Sequence, residues 1–375
     1  MRGVERFDAI VVGAGPAGST AAFRLSSAGA RVLLLDRAHF PRDKPCGGGL
    51  TGRALLHAPC DVAPVVEHVV DRFVLRVGYR GRFARRSGGP LIAMTQRRRL
   101  DLHLAERAAA AGVDFRDGTR VAEVQLTDDG VTTLVGGSRV RADYVVGADG
   151  ANGVVARSAG LGEGIVTGVA VEANAAWNDI DPEPYGGTAW VELGVVPGGY
   201  GWVFPKGDHA NLGVGGWGTE GPRLRGHLER LARVHDVDPA RLTGLRGHRL
   251  PMRRTGSPAA RGRVLLVGDA AGLVDPLSGD GMYEAFVSAR LAADAVLRDR
   301  PEGYQAALDG ALDQHAAASW KAKRVADRFP RACFWVARAP ICSGRPRTTP
   351  SWPRGRSSRS GWGPSRSTSS RRCSP

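Results

Sequence analysis

The chain has 375 residues, 42% of them hydrophobic and 24% charged, with a formal net charge of +15. That is enough chain for a sizeable core and for two domains, in an ordinary soluble globular composition. The five cysteines, at 46, 60, 333, 342 and 373, are odd in number, widely spaced and without a CxxC pair, so they suggest neither a disulfide framework nor a zinc site and fit a reducing, cytoplasmic compartment; no run of about 18 apolar residues reads as a membrane span.

The opening MRGVERFDAIVVGAGPAGS sets a basic residue before an apolar run, as a signal peptide does, but the run is short and broken by glycines. The spacing predicts a strand over 7–12, a glycine turn Gly13-Ala14-Gly15-Pro16-Ala17-Gly18, a helix over 19–28 ended by Gly29, and a second strand closing on Asp36. Each part has a physical task in holding a dinucleotide. Gly13 permits the tight turn, Gly15 lets backbone approach a pyrophosphate, and Gly18 lets the helix pack on the strand. The pyrophosphate then meets the unpaired N–H groups at the helix start, and Asp36 accepts from ribose hydroxyls.

Further along, Lys44-Pro45-Cys46-Gly47-Gly48-Gly49-Leu50 puts one thiol beside three glycines. A free cysteine is commonly a small buried hydrophobe, yet three glycines leave Cys46 few packing neighbours, so exposure toward a ligand is the expectation. RRRLDLHLAERA, from Arg97, reads as a helix. YVVGADGANGVVAR (144–157) is a strand running into Asp149-Gly150. In YGWVFPKGD (200–208) the alternation puts Tyr200, Trp202 and Phe204 on one face of a strand. By itself that stripe is better explained as core; beside Cys46 it reads as a rigid apolar wall. Gly216 to Gly221 repeats the GxGxxG pattern, but Pro222 follows and no strand ending in an acid comes at the right distance, so it is discounted. RVLLVGDAAGLVDPLSGDGMYEAF (263–286) is an apolar strand ending in Gly268-Asp269, then a second glycine turn entering a helix. Residues 343–375 carry eight of the fifteen net positive charges, all arginine, and show no hydrophobic period. They are expected to be disordered, as a solvated tail, an out-of-frame translation, or a basic arm for anionic lipid or nucleic acid.

The N-terminal fingerprint, the Asp149-Gly150 element and the Gly268-Asp269 element, in that order, resemble the flavoprotein hydroxylase superfamily. FPRDKPCGGGLTGRAL (40–55), YGWVFPKGD and GDAAGLVDPLSGDGMYEA (268–285) narrow the resemblance to the geranylgeranyl reductase family, over roughly residues 5–340. Asp275 stands where that family usually has Asn, Asp280 where it has Glu, and Met282 where it has an aliphatic residue. The family is helical toward its carboxy terminus, whereas fold-like sequence here stops near Cys342.

The resemblance implies FAD, an α/β fold with a Rossmann-like parallel-sheet domain, and a mainly antiparallel-sheet substrate domain. Its implied FAD contacts are Gly13, Gly15, Pro16, Ala17, Gly18, Asp36, Arg37, Lys44, Pro45, Gly47, Gly48, Arg97, Val121, Asp149, Gly150, Gly268, Asp269, Pro276, Gly279, Gly281 and Met282. Within that set Asp269 meets the ribityl chain, and the turn from Gly279 to Met282 lies under the isoalloxazine. The implied catalytic group is Cys46 with Tyr200, Trp202 and Phe204, Cys46 giving the proton to an alkene carbon. The FAD domain is expected over 1–55, 95–160 and 245–315, the substrate domain over 56–94 and 161–244, and a helical segment over 316–342.

The implied activity saturates double bonds of a prenyl chain on a lipid, quinone or diphosphate. An external donor (NADPH, ferredoxin or a quinol) supplies electrons. Partners are a prenylated substrate and a membrane surface, with no specific nucleic acid. The rival readings are a flavin monooxygenase or halogenase, and a basic-tailed nucleic-acid or membrane-surface binder with a vestigial flavin site. No metal site is expected.

Overall fold

The computed structural model describes residues 4–127, 130–252 and 254–339. The basic segment 343–375, with Cys342 and Cys373, lies outside the described residues. The first sheet grows from the predicted strand–turn–helix unit: Arg6–Val12 pairs in parallel with Val32–Leu35 on one side and with Ser138–Gly147 on the other. Val264–Leu266 and Asp114–Arg116 extend it in parallel in opposite directions, and Ala260–Arg261 adds an antiparallel edge beyond Val264–Leu266. Residues Ala9 to Val12 and Val32 to Leu35 are buried in one core with the helix Pro16–Ser27 and with the antiparallel hairpin Val121–Thr127/Gly130–Val135, which leaves these central strands no solvent side. The helix Pro16–Ser27 starts three residues earlier than predicted, with proline in its first turn, where its missing N–H costs nothing. It packs on the helices Met282–Leu297 and Arg97–Ala110.

The second sheet has seven strands, in the order Thr243–Met252, Val166–Ala176, His209–Trp217, Tyr200–Pro205, Thr188–Leu193, Arg72–Val77, Arg80–Arg86. It is antiparallel except where Thr188–Leu193 runs parallel to Arg72–Val77. Helix Leu224–Val234 covers it, burying Leu224, Leu228 and Leu231 against the strands.

Two expected boundaries move. Thr243–Met252 is hydrogen-bonded to Val166–Ala176 along most of its length, so the third segment of the FAD domain begins after Met252 and not at 245. The border at 315/316 falls inside one helix, Glu302–Arg328; nothing in its sequence breaks it before Phe329, and Pro330 opens the helix Pro330–Arg338. Among the described residues no helix is long and apolar enough to cross a membrane.

Candidate active site

One cavity of about 1050 Å³ lies between the two sheets. Every residue expected at the cofactor or the alkene lines it, with the exception of Gly18. Gly18 sits behind the wall: a Cβ there would lie 1.7 Å from the Gly13 carbonyl oxygen. Its task is the close helix–strand contact that lets the turn exist.

At one end of the cavity the turn presents Gly13, Gly15 and the N-terminus of the helix Pro16–Ser27. A Cβ on Gly13 would lie 2.3 Å from the Ala148 carbonyl oxygen, so the two loops that frame this end close only on glycine. Asp36 accepts from the Ala14 N–H at 2.9 Å and the Ala38 N–H at 2.9 Å, which anchors its carboxylate at the tip of the strand. Arg97 holds Asp101 through two bonds, 2.7 and 2.8 Å long, and Arg42 reaches Asp101 at 3.1 Å. Burial disfavours the Arg97 charge, but Asp101 outweighs it and keeps the guanidinium protonated. Arg42 and Arg97 place guanidinium nitrogens 3.4 and 3.7 Å from the Cβ position of Gly15. An anion at that turn would therefore meet backbone N–H groups and two cations.

In the middle, burial alone would raise the Asp269 carboxyl; Lys44 at 2.9 Å and His248 at 3.4 Å prevail and hold it well below the usual carboxylate range. Asp149 bends back on its own loop, accepting from the Val155 N–H at 3.0 Å. Burial pushes this carboxyl up, and its Oδ1 has no protein partner.

At the other end, Gly279, Gly281 and Met282 form the turn that opens helix Met282–Leu297. Asp275 braces that turn, its Oδ1 accepting from the Ser278 N–H at 2.7 Å and the Leu277 N–H at 3.1 Å. The Tyr200 hydroxyl donates to the Ser278 carbonyl. Tyr200, Trp202 and Phe204 form a continuous run of rings, with centroids 5.9 and 6.2 Å apart. Trp202 Nε1 donates to Asn211 Oδ1 at 2.9 Å, and its ring lies where a Cβ on Gly213 would stand, 2.0 Å away. Two glycines of the discounted pattern also mark close packing: Cβ atoms on Gly216 and Gly218 would lie 2.5 Å from the Pro197 carbonyl oxygen and 2.8 Å from the Thr167 carbonyl oxygen. The loop of Cys46 lies directly on this wall: the Cβ position of Gly47 is 3.1 Å from the Phe204 ring.

Among the side chains that the motif reading missed are three that line this cavity, Arg42, His248 and Glu172, and one, Lys206, buried beneath the cysteine loop. Arg42 and His248 have just been placed. Glu172 accepts the Cys46 N–H at 3.0 Å, and Lys206 donates to the Gly47 carbonyl at 2.6 Å and the Thr95 carbonyl at 2.8 Å. Lys206 carried a signal, because the alternation that groups 200, 202 and 204 continues to 206. Glu172 and His248 carried none, since their positions depend on which distant strands pair.

The residues present fit FAD: a glycine-lined helix start flanked by cations, an acid at the strand tip, an ionised Asp269, and a second helix start beside an aromatic wall. The FAD binding domain family matches residues 6–192. The chain is 30% identical over 348 residues to the geranylgeranyl diphosphate reductase of Rhodobacter capsulatus, covering 86% of this chain and 84% of that one. It belongs to the geranylgeranyl reductase family. The menaquinone reductase of Mycolicibacterium smegmatis is 32% identical over 342 residues, covering 85% of this chain and 83% of that one. Among solved structures, a geranylgeranyl bacteriochlorophyll reductase-like protein from Thermoplasma acidophilum superposes with a TM-score of 0.76 at 25% identity, covering 87% of this chain and 88% of that one. The protein is an FAD-dependent oxidoreductase, and the family membership favours the reductase reading over both rivals.

Proposed function

We propose that this protein saturates isolated carbon–carbon double bonds in a polyprenyl chain borne by a lipid, a quinone or a diphosphate, with Cys46 as the proton donor. The observation that carries the proposal is the seat of Cys46. Its loop rests on the Tyr200–Trp202–Phe204 wall, inside the same cavity as the dinucleotide cradle. Reduction of an unactivated alkene needs a hydride at one carbon and a proton at the other, aligned in a dry pocket. FAD, reduced by an external donor, supplies the hydride when bound. Cys46 supplies the proton: its S–H bond breaks as the new C–H bond forms, and the electron pair stays on sulfur. The three rings hold the flat alkene and exclude water, and the bond from the Tyr200 hydroxyl to Ser278 ties that wall to the turn at Gly279.

A chain carried in a bilayer must be met at the membrane surface. Exposed Phe329, Trp335 and Val336, among Arg328, Arg331 and Arg338, support peripheral contact there. The test is mass spectrometry of cellular prenyl lipids with the gene present and deleted. Loss of species in steps of two hydrogens on deletion is the expected result. Unchanged lipids, together with oxygen-consuming donor oxidation by the purified protein, would refute the proposal and favour hydroxylase chemistry.

A further inference from the structure

We infer that Lys206 and Glu172, which hold the backbone of the cysteine loop at Gly47 and at Cys46, set the acidity of the Cys46 thiol in opposition to each other, Lys206 as the positioning residue that stabilises the thiolate left when Cys46 gives up its proton. The inference rests on the role proposed above for Cys46. Lys206 is 2% exposed, and two of its three N–H groups are spent on the Gly47 and Thr95 carbonyls. Pinning two carbonyls needs a donor but no charge, and a buried ammonium is costly. Its charge therefore calls for a partner. Of the titratable groups around Lys206, Cys46 acts on it most strongly, ahead of Glu172 and Glu67.

Gly48 links the two groups. Its N–H donates to Cys46 Sγ at 3.3 Å, and a Cβ there would lie 1.8 Å from Lys206 Nζ. The ammonium thus occupies the space that a side chain at 48 would fill, on the loop residue that also donates to the sulfur. Glu172 accepts the Cys46 N–H at 3.0 Å and sets a carboxylate against any charge on sulfur. Burial pushes Glu172 up and pulls Lys206 down, and each opposes the other's shift.

The remaining charged groups around the loop divide by sign. Arg97, from the helix Arg97–Ala110, acts with Lys206. Lys44 and Asp269 pair with each other at 2.9 Å, with His248 on the same carboxylate, and Asp43 pairs with Arg246 at 2.8 Å. The Tyr200 phenol is pushed up by burial and stays neutral. Lys206 and Glu172 are the two whose hydrogen bonds hold the loop backbone at Gly47 and at Cys46.

The experiment follows alkylation of Cys46 by iodoacetamide against pH, in FAD-containing protein without substrate, resolved by peptide mass spectrometry from the other cysteines. Lys206→Met should move the midpoint up by about one pH unit or more, so that Cys46 alkylates about tenfold more slowly below the midpoint. Glu172→Gln should move it down by about one unit. A change in access would alter the plateau rate and leave the midpoint in place. A Lys206→Met protein that retains FAD and keeps the parental midpoint overturns the inference. If Lys206→Met fails to hold FAD, the nearly isosteric Glu172→Gln decides: a downward shift sustains the inference, and an unchanged or raised midpoint overturns it. Midpoints that move as expected in a protein that leaves prenyl lipids untouched would sink the reductase reading while leaving the control of Cys46 acidity by Lys206 and Glu172 in place.

Discussion

Gly48→Ala and Gly47→Ala differ by one position and should differ sharply in outcome. Gly48 has φ +73°, and a Cβ there would lie 1.8 Å from Lys206 Nζ and 2.1 Å from the Thr95 carbonyl oxygen. The left-handed backbone costs an alanine about 1–2 kcal/mol. The carbonyl is backbone and cannot swing aside, so the loop or Lys206 must move. Displacing Lys206 leaves a buried ammonium without its acceptors, a loss of roughly 3–5 kcal/mol. Together these reach roughly 4–7 kcal/mol, a large part of the roughly 5–15 kcal/mol by which native domains are stable. Gly47 has no such backbone demand, and its Cβ would meet the Phe204 ring at 3.1 Å and Trp202 Nε1 at an ordinary 3.7 Å; a small shift of the Phe204 ring keeps that cost within about 1 kcal/mol. Thermal unfolding by circular dichroism, with FAD content measured by absorbance, separates the two. Gly48→Ala should melt on the order of 10 °C or more below the parent and lose FAD, while Gly47→Ala should melt close to the parent. Equal melting temperatures with full FAD in both would refute the placement of Lys206 under the loop.

Asp269→Ala should come off purification depleted of FAD, because charge-assisted bonds worth about 1.5–3 kcal/mol vanish and Lys44 loses its carboxylate; full occupancy by absorbance would remove Asp269 from the cofactor site. Cys46→Ala should keep its flavin and its reduction by an artificial donor, yet lose about 10²-fold or more in prenyl reduction. Recovery in Cys46→Ser would point to packing or hydrogen bonding, and undiminished turnover in Cys46→Ala would end the proton-donor assignment. Burial, helped by the charge of Asp280, pushes the Glu284 carboxyl up to about 8. With the folded value raised, its contribution to stability is complete below the unfolded value near 4.5 and is lost as pH rises through about 8, a change on the order of a few kcal/mol. Glu284→Gln should therefore melt above the parent at about pH 9 and level with it at about pH 4, and a melting difference by calorimetry that is the same at both pH values would contradict that burial.

The sequence by itself determined whatever a short span of chain must do to bind a dinucleotide. The turn at 13–18, Asp36 twenty-odd residues on, the Gly268-Asp269 strand end and the turn at 279–282 are local requirements: a glycine where two backbones touch, an acid at a strand tip, free N–H groups at a helix start. Period-two alternation likewise put Tyr200, Trp202 and Phe204 on one face before any partner strand was known. The assignment of residues 245–252 to the wrong sheet shows where such reasoning stops. LRGHRLPM has no apolar alternation and carries no record of a partner strand, and pairing with Val166–Ala176 is what carries His248 to Asp269. Glu172 and Lys206 are legible as charges, but the sequence does not say that they close on one cysteine 126 and 160 positions away. Only the packing of the two sheets over the glycine loop decides that, because the energy of a buried charge depends on which partners arrive in space.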